Sequence, residues 1–144
     1  MIVTYERRTT KAIRAIVENS LTVAYKYLMP RTKNLYINIE AIKNLKEKEG
    51  VCGDCFEDDD REFTIRIDST QPANEIIITI LHEMVHVNQY VKKQMQQKIG
   101  SEVIYNKKVY PSNMDYDSRP WEIEAHNLEK KLFKLYKVKY EHAT

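Results

Sequence analysis

The chain has 144 residues, 42% of them hydrophobic, which suits one domain spanning 1–144 around a single core. Its 23 basic and 21 acidic residues leave a formal charge of +2, a balance that argues against a generic nucleic-acid binder. No apolar run approaches the ~20 residues of a membrane span, and Met1 to Arg8 has no apolar signal-peptide core, so the expectation is a cytoplasmic protein with no membrane partner.

From Thr10 to Leu28, residues Ile13, Ile16, Val17, Val23, Ala24 and Tyr27 recur at helical spacing, and Met29-Pro30 ends the run. This predicts a scaffold helix. Leu35, Ile37 and Ile39 then alternate with Tyr36, Asn38 and Glu40 as in a half-buried strand, and Lys43 to Lys48 reads as a solvated charged stretch. Cys52-Gly53-Asp54-Cys55 has the spacing of half a structural metal site or of a redox pair, but there is no second CxxC and no thioredoxin-like βαβ setting. It is read as an incidental loop pair. Glu57 to Asp60 lacks the EF-hand register and its Gly, and reads as a solvated turn. Phe63, Ile65 and Ile67 alternate with Thr64, Arg66 and Asp68 in a second strand.

Pro72 sits where a helix can begin, and Ala73 to about Lys93 continues without another Pro or any Gly, with apolar residues at Ile77, Ile80, Leu81, Met84, Val85 and Val91. Inside it lies His82-Glu83-Met84-Val85-His86. Two imidazoles four apart on a helix share a face and can grip one metal ion, while Glu83 projects beside the ion and can take a proton from a water polarised there. The bland alternative, histidines that merely pack or hydrogen-bond, requires partners for two buried His and one Glu.

Val103 to Tyr105 and Val109-Tyr110 around Asn106 to Lys108 predict a short hairpin within a Gly100 to Pro120 connection that can form a rim over a cleft. Pro120 opens a last helix through Leu128, Leu132, Leu135 and Tyr136, carrying Glu122 and His126 on one face and Glu124 away from it. A catalytic zinc takes three protein ligands and keeps a fourth position open. Metzincin spacing is excluded, because Gln89 and Lys92 stand where that pattern needs Gly and His. Glu122 and His126 therefore remain as candidates for the third ligand, with the other as partner of a bound histidine.

With HEMVH upstream and Glu122-Ile123-Glu124-Ala125-His126 downstream, the chain resembles the small single-domain gluzincin metallopeptidases. It is similar to ImmA/IrrE-like peptidases in its pair of signatures and to SprT-like proteases in layout. The resemblance implies an α+β zincin-like fold: an N-terminal helix, a small mixed sheet, the HExxH helix and a C-terminal ligand-bearing helix. It further implies Zn²⁺ held by His82, His86 and Glu122, with Glu83 as general base of peptide hydrolysis on a peptide or protein substrate. His126 stands where the thermolysin-type pattern has Asp or Asn, so a His126-ligated, SprT-like site is the alternative. The resemblance also suggests that Glu62 to Asp68 is a sheet edge able to take an extended peptide, against the plainer reading of a strand paired on both sides. Tyr110, Tyr116 and His126 are candidates to donate to the oxyanion of the attacked carbonyl. Two rivals are a zincin-like metal-binding regulatory module without peptidase activity and a mainly helical binding protein in which HEMVH is accidental.

Overall fold

The apolar alternations in the first half of the chain become neighbouring strands of one sheet. The computed structural model describes residues 1–97 and 102–141; Gly100, where the predicted rim begins, lies outside them. In order the elements are β1 (Ile2–Tyr5), α1 (Lys11–Leu28), β2 (Tyr36–Ile42), α2 (Leu45–Glu49), β3 (Gly53–Asp59), β4 (Glu62–Asp68), α3 (Ala73–Val91), β5 (Met95–Gln97), β6 (Val103–Tyr105), β7 (Lys108–Tyr110), a 3₁₀ turn (Tyr116–Ser118) and α4 (Pro120–Tyr140). Thr10 caps α1 by accepting from the Ile13 N–H at 3.2 Å. Asn106 and Lys107 both take positive φ, 49° and 70°, the geometry of a tight two-residue turn between β6 and β7.

The main sheet has the order β1-β2-β4-β3, with β1, β2 and β4 parallel and β3 antiparallel to β4. Strand β4 is thus paired on both sides, and the free edge next to α3 is β3. The suggested edge role of Glu62 to Asp68 is corrected accordingly. Gly53 explains how β3 comes so close: a Cβ there would collide with Thr79 Cγ2 of α3 and with the Arg66 carbonyl. Cys55 lies within β3, not in a loop; both cysteines are free thiols. Glu57 to Asp59 likewise belong to the strand, leaving Asp60-Arg61 as the turn. The Lys-rich stretch is short helix α2, anchored by fully buried Leu45.

One sheet face buries Ile37, Ile39, Phe63, Ile65 and Ile67 in a core shared with Val17 and Leu21 of α1, Ile80, Leu81, Met84 and Val85 of α3, and Ala125 and Leu132 of α4. The other face is polar, with Thr4 bonded to Asn38, Thr64 to Asp58, and Arg66 to Asp54 and Glu49. Helix α3 is enclosed by the sheet, α1 and α4, and every residue from Ile80 to Tyr90 is buried. Its apolar side chains contribute about 1.5–3 kcal/mol each. That gain offsets the cost of burying His82, Glu83, His86, Asn88 and Gln89 on the same helix. Among the described residues, no helix is long and apolar enough to cross a membrane.

Candidate metal centre

The middle of α3 brings two imidazoles to one side, each tied down at its far nitrogen. His86 Nδ1 lies 2.8 Å from Gln89 Oε1, and His82 Nδ1 lies 2.9 Å from Glu129 Oε1. The Gln89 amide is oriented by its other end, which donates to the Trp121 carbonyl and to Glu124 Oε1, both at 3.0 Å. Facing acceptor oxygens, both Nδ1 atoms carry the proton in the neutral rings, and both Nε2 atoms keep a lone pair.

Those lone pairs converge. The two Nε2 atoms are 3.2 Å apart, and each is 3.0 Å from Glu122 Oε1. Three electron-rich atoms at this spacing repel one another unless a cation lies between them. A tetrahedral zinc with ligands at about 2.0–2.1 Å has ligand–ligand edges of about 3.3 Å, close to the observed triangle. The donor set fits the ion. Electrostatics agree: burial opposes charge on both imidazoles, yet their hydrogen bonds to Glu122 and the charge of Glu83 raise both pKa values, while burial of Glu122 is overcome by the same two bonds and its pKa falls. The site is short of positive charge.

Glu83, the next residue on α3, is 7% exposed and makes no side-chain hydrogen bond among the described residues. Burial pushes its pKa up to about 7, against the pull of His86 and His82. A carboxylate so poised can accept and return a proton near neutral pH.

Helix α4 supplies the opposite side. Pro120 sets its first turn, and Glu122, His126 and Glu129 follow at i, i+4 and i+7 along one stripe. His126 lies with its ring 4.6 Å from that of His82. Its nitrogens face elsewhere, Nδ1 to Glu129 Oε1 at 2.7 Å and Nε2 to the Tyr116 hydroxyl at 3.1 Å. Tyr116 also donates to Glu122 Oε1 at 3.0 Å. Hence Glu122 is the residue that meets both histidines. Atoms of His82, His126 and Glu129 form a second close group, in which Glu129 meets His82 at Nδ1, the nitrogen turned away from Glu122, so this group buttresses the first.

A cleft of about 790 Å³ opens over these groups. Gly50 to Cys55 form one wall, His82, Glu83 and His86 the floor, and Met95, Val103, Pro111 and Trp121 line the other side. Tyr116 and His126 reach it as well. Tyr110 instead packs edge-on against Trp121, 5.5 Å between ring centres, and is not among the lining residues.

Compared with known proteins, the chain matches no family model, no curated protein and no solved structure. The donor geometry carries the assignment of a candidate metal centre by itself. Sequence reasoning missed Gln89 and Glu129. Gln89 had a local signal, one turn beyond His86; Glu129 had only its place on the Glu122 stripe.

Proposed function

We propose that this protein is a zinc-dependent peptidase of the gluzincin kind with a zincin-like fold, in which His82, His86 and Glu122 hold the ion and Glu83 is the general base. The observation that carries this reading is the buried carboxylate of Glu83, without a hydrogen-bond partner among the described residues and with its pKa pushed up to about 7 by burial, next to three converging lone-pair donors. When bound, zinc would polarise the scissile carbonyl and acidify the attacking water. Glu83 takes the proton from that water and hands it to the leaving amine. Tyr116, held at the cleft by His126, is placed to donate to the oxygen on which charge develops.

Binding of an extended substrate is supported by β3. The Asp68 N–H donates to the Cys52 carbonyl at 2.8 Å, and antiparallel alternation then turns the main-chain groups of Gly53 and Cys55 outward, away from β4. A peptide laid there adds a strand through bonds that suit any sequence.

The test is elemental analysis of protein purified without a His tag, combined with cleavage of a peptide library. We expect about one zinc per chain, lost in Glu122→Ala and retained in His126→Ala. Library cleavage is expected from wild type and not from Glu83→Gln. Absence of zinc after reconstitution would sink the enzyme reading, and stoichiometric zinc with no cleavage of any peptide would favour a regulatory metal-binding module.

A further inference from the structure

The hydrogen bonds around the metal triangle close into a ring in which one oxygen makes two contacts. Glu129 Oε1 accepts from His82 Nδ1 at 2.9 Å and from His126 Nδ1 at 2.7 Å. From His126 the path runs through Nε2 to the Tyr116 hydroxyl, from there to Glu122 Oε1, and back to His82 Nε2. Glu129 lines the cleft without being one of the three converging donors, and its side chain is only 14% exposed and set between both imidazoles. Burying a carboxylate without a compensating role is costly, and here two N–H donors compensate it.

We propose that Glu129 is a positioning residue serving both halves of the site at once, its carboxylate fixing the tautomers of His82 and His126 together. This rests on the metal-site reading above. With the His82 proton held on Nδ1, Nε2 is committed to the ion. With the His126 proton held on Nδ1, its Nε2 is an acceptor that competes with Glu122 Oε1 for the single proton of the Tyr116 hydroxyl, 3.1 Å from the one and 3.0 Å from the other. An imidazole in the opposite tautomer would present an N–H to the phenol oxygen of Tyr116 and leave the phenol proton to Glu122 Oε1 alone. One carboxylate thus links metal affinity to the hydrogen bonding of the Tyr116 hydroxyl.

The test uses the full chain with zinc alone as ligand, affinity being read by competition with a chromophoric chelator and tautomers by long-range ¹H–¹⁵N correlation of the histidine rings. Wild type is expected to show both His82 and His126 protonated at Nδ1. Glu129→Ala should weaken zinc about 10–100-fold and move the His126 proton to Nε2; Glu129→Gln, which keeps a neutral acceptor oxygen in the same shape, should weaken zinc less and retain the His126 tautomer. A wild-type His126 protonated at Nε2 overturns the proposal, as does unchanged zinc affinity in Glu129→Ala. If the alanine variant does not fold, Glu129→Met, which fills the space without an acceptor oxygen, takes its place, and unchanged affinity there has the same force. Glu122→Ala measured alongside keeps the failures apart: no zinc in wild type removes the metal site itself, whereas zinc held equally by wild type and the Glu129 variants removes only the role of Glu129.

Discussion

The turn that leads into α3 and the cleft beside its middle each bury a carboxylate, and they treat it in opposite ways. Asp68, 2% exposed, accepts from the N–H of Lys46 at 3.0 Å, the N–H of Thr70 at 2.9 Å and the hydroxyl of Thr70 at 2.5 Å. Burial alone would raise its pKa, but bonds from Thr70, the Lys46 main chain and Gln71 pull it down to about 2. Glu83 is buried almost as deeply and has no such donors among the described residues, so burial prevails and its pKa rises to about 7. A carboxylate surrounded by donors stays charged and ties segments together. One deprived of them is free to exchange a proton.

The contrast would break most visibly at Glu83. Glu83→Gln is expected to lower turnover of a cleaved peptide by about 10²–10⁴-fold with zinc content unchanged, read by peptide hydrolysis and elemental analysis. Wild-type rates in that variant would make Glu83 as structural as Asp68. The complementary change, Asp68→Ala, should leave zinc content alone and cost about 3 kcal/mol in urea unfolding, because the Lys46 and Thr70 N–H groups lose a charged acceptor. A loss below about 1 kcal/mol would mean that water replaces the carboxylate without penalty. A smaller effect is expected at Gln89, whose Oε1 holds His86 Nδ1: Gln89→Ala should weaken zinc about 10–100-fold, and an unchanged chelator-competition curve would show that α3 alone orients that ring.

Much of this was legible from local pattern. The spacing of Ile13 to Tyr27, the alternations at Leu35 to Ile39 and Phe63 to Ile67, and the hairpin around Asn106 to Lys108 each name their element, because periodicity and turn chemistry are short-range signals. Strand β3 escaped, since Gly53 to Asp59 buries little of either face and reads as polar turn; its strand character comes from β4, known only once the chain has folded back. The same divide runs through the site. HEMVH sits on one helix turn and is plain in the sequence, and Glu122 followed from helical spacing together with the family resemblance. Glu129 meets His82 across a separation of 47 residues, a pairing that only the α3–α4 packing creates. Local chemistry was readable, and its support across helices was not.

The finest test of the contrast is its pH dependence. Asp68 has a folded pKa of about 2, below the ~3.9 of an unfolded aspartate, so the unfolded chain takes up protons first as the solution is acidified. The charge-dependent part of its stabilisation is therefore fully present above about pH 4 and is lost as pH falls towards 2. Acid weakens many ion pairs at once, but those are common to wild type and Asp68→Ala and cancel in the difference between them. Urea midpoints measured from pH 7 down to 2.5 should show a constant gap between the two proteins that begins to narrow below pH 4. Narrowing is expected to be partial, because a protonated Asp68 still offers one carbonyl oxygen to the Lys46 or Thr70 N–H. A gap that stays constant throughout would mean that Asp68 acts by filling space between α2 and the start of α3, and the opposition between a charged, donor-rich carboxylate and a donor-poor one would then rest on Glu83 alone.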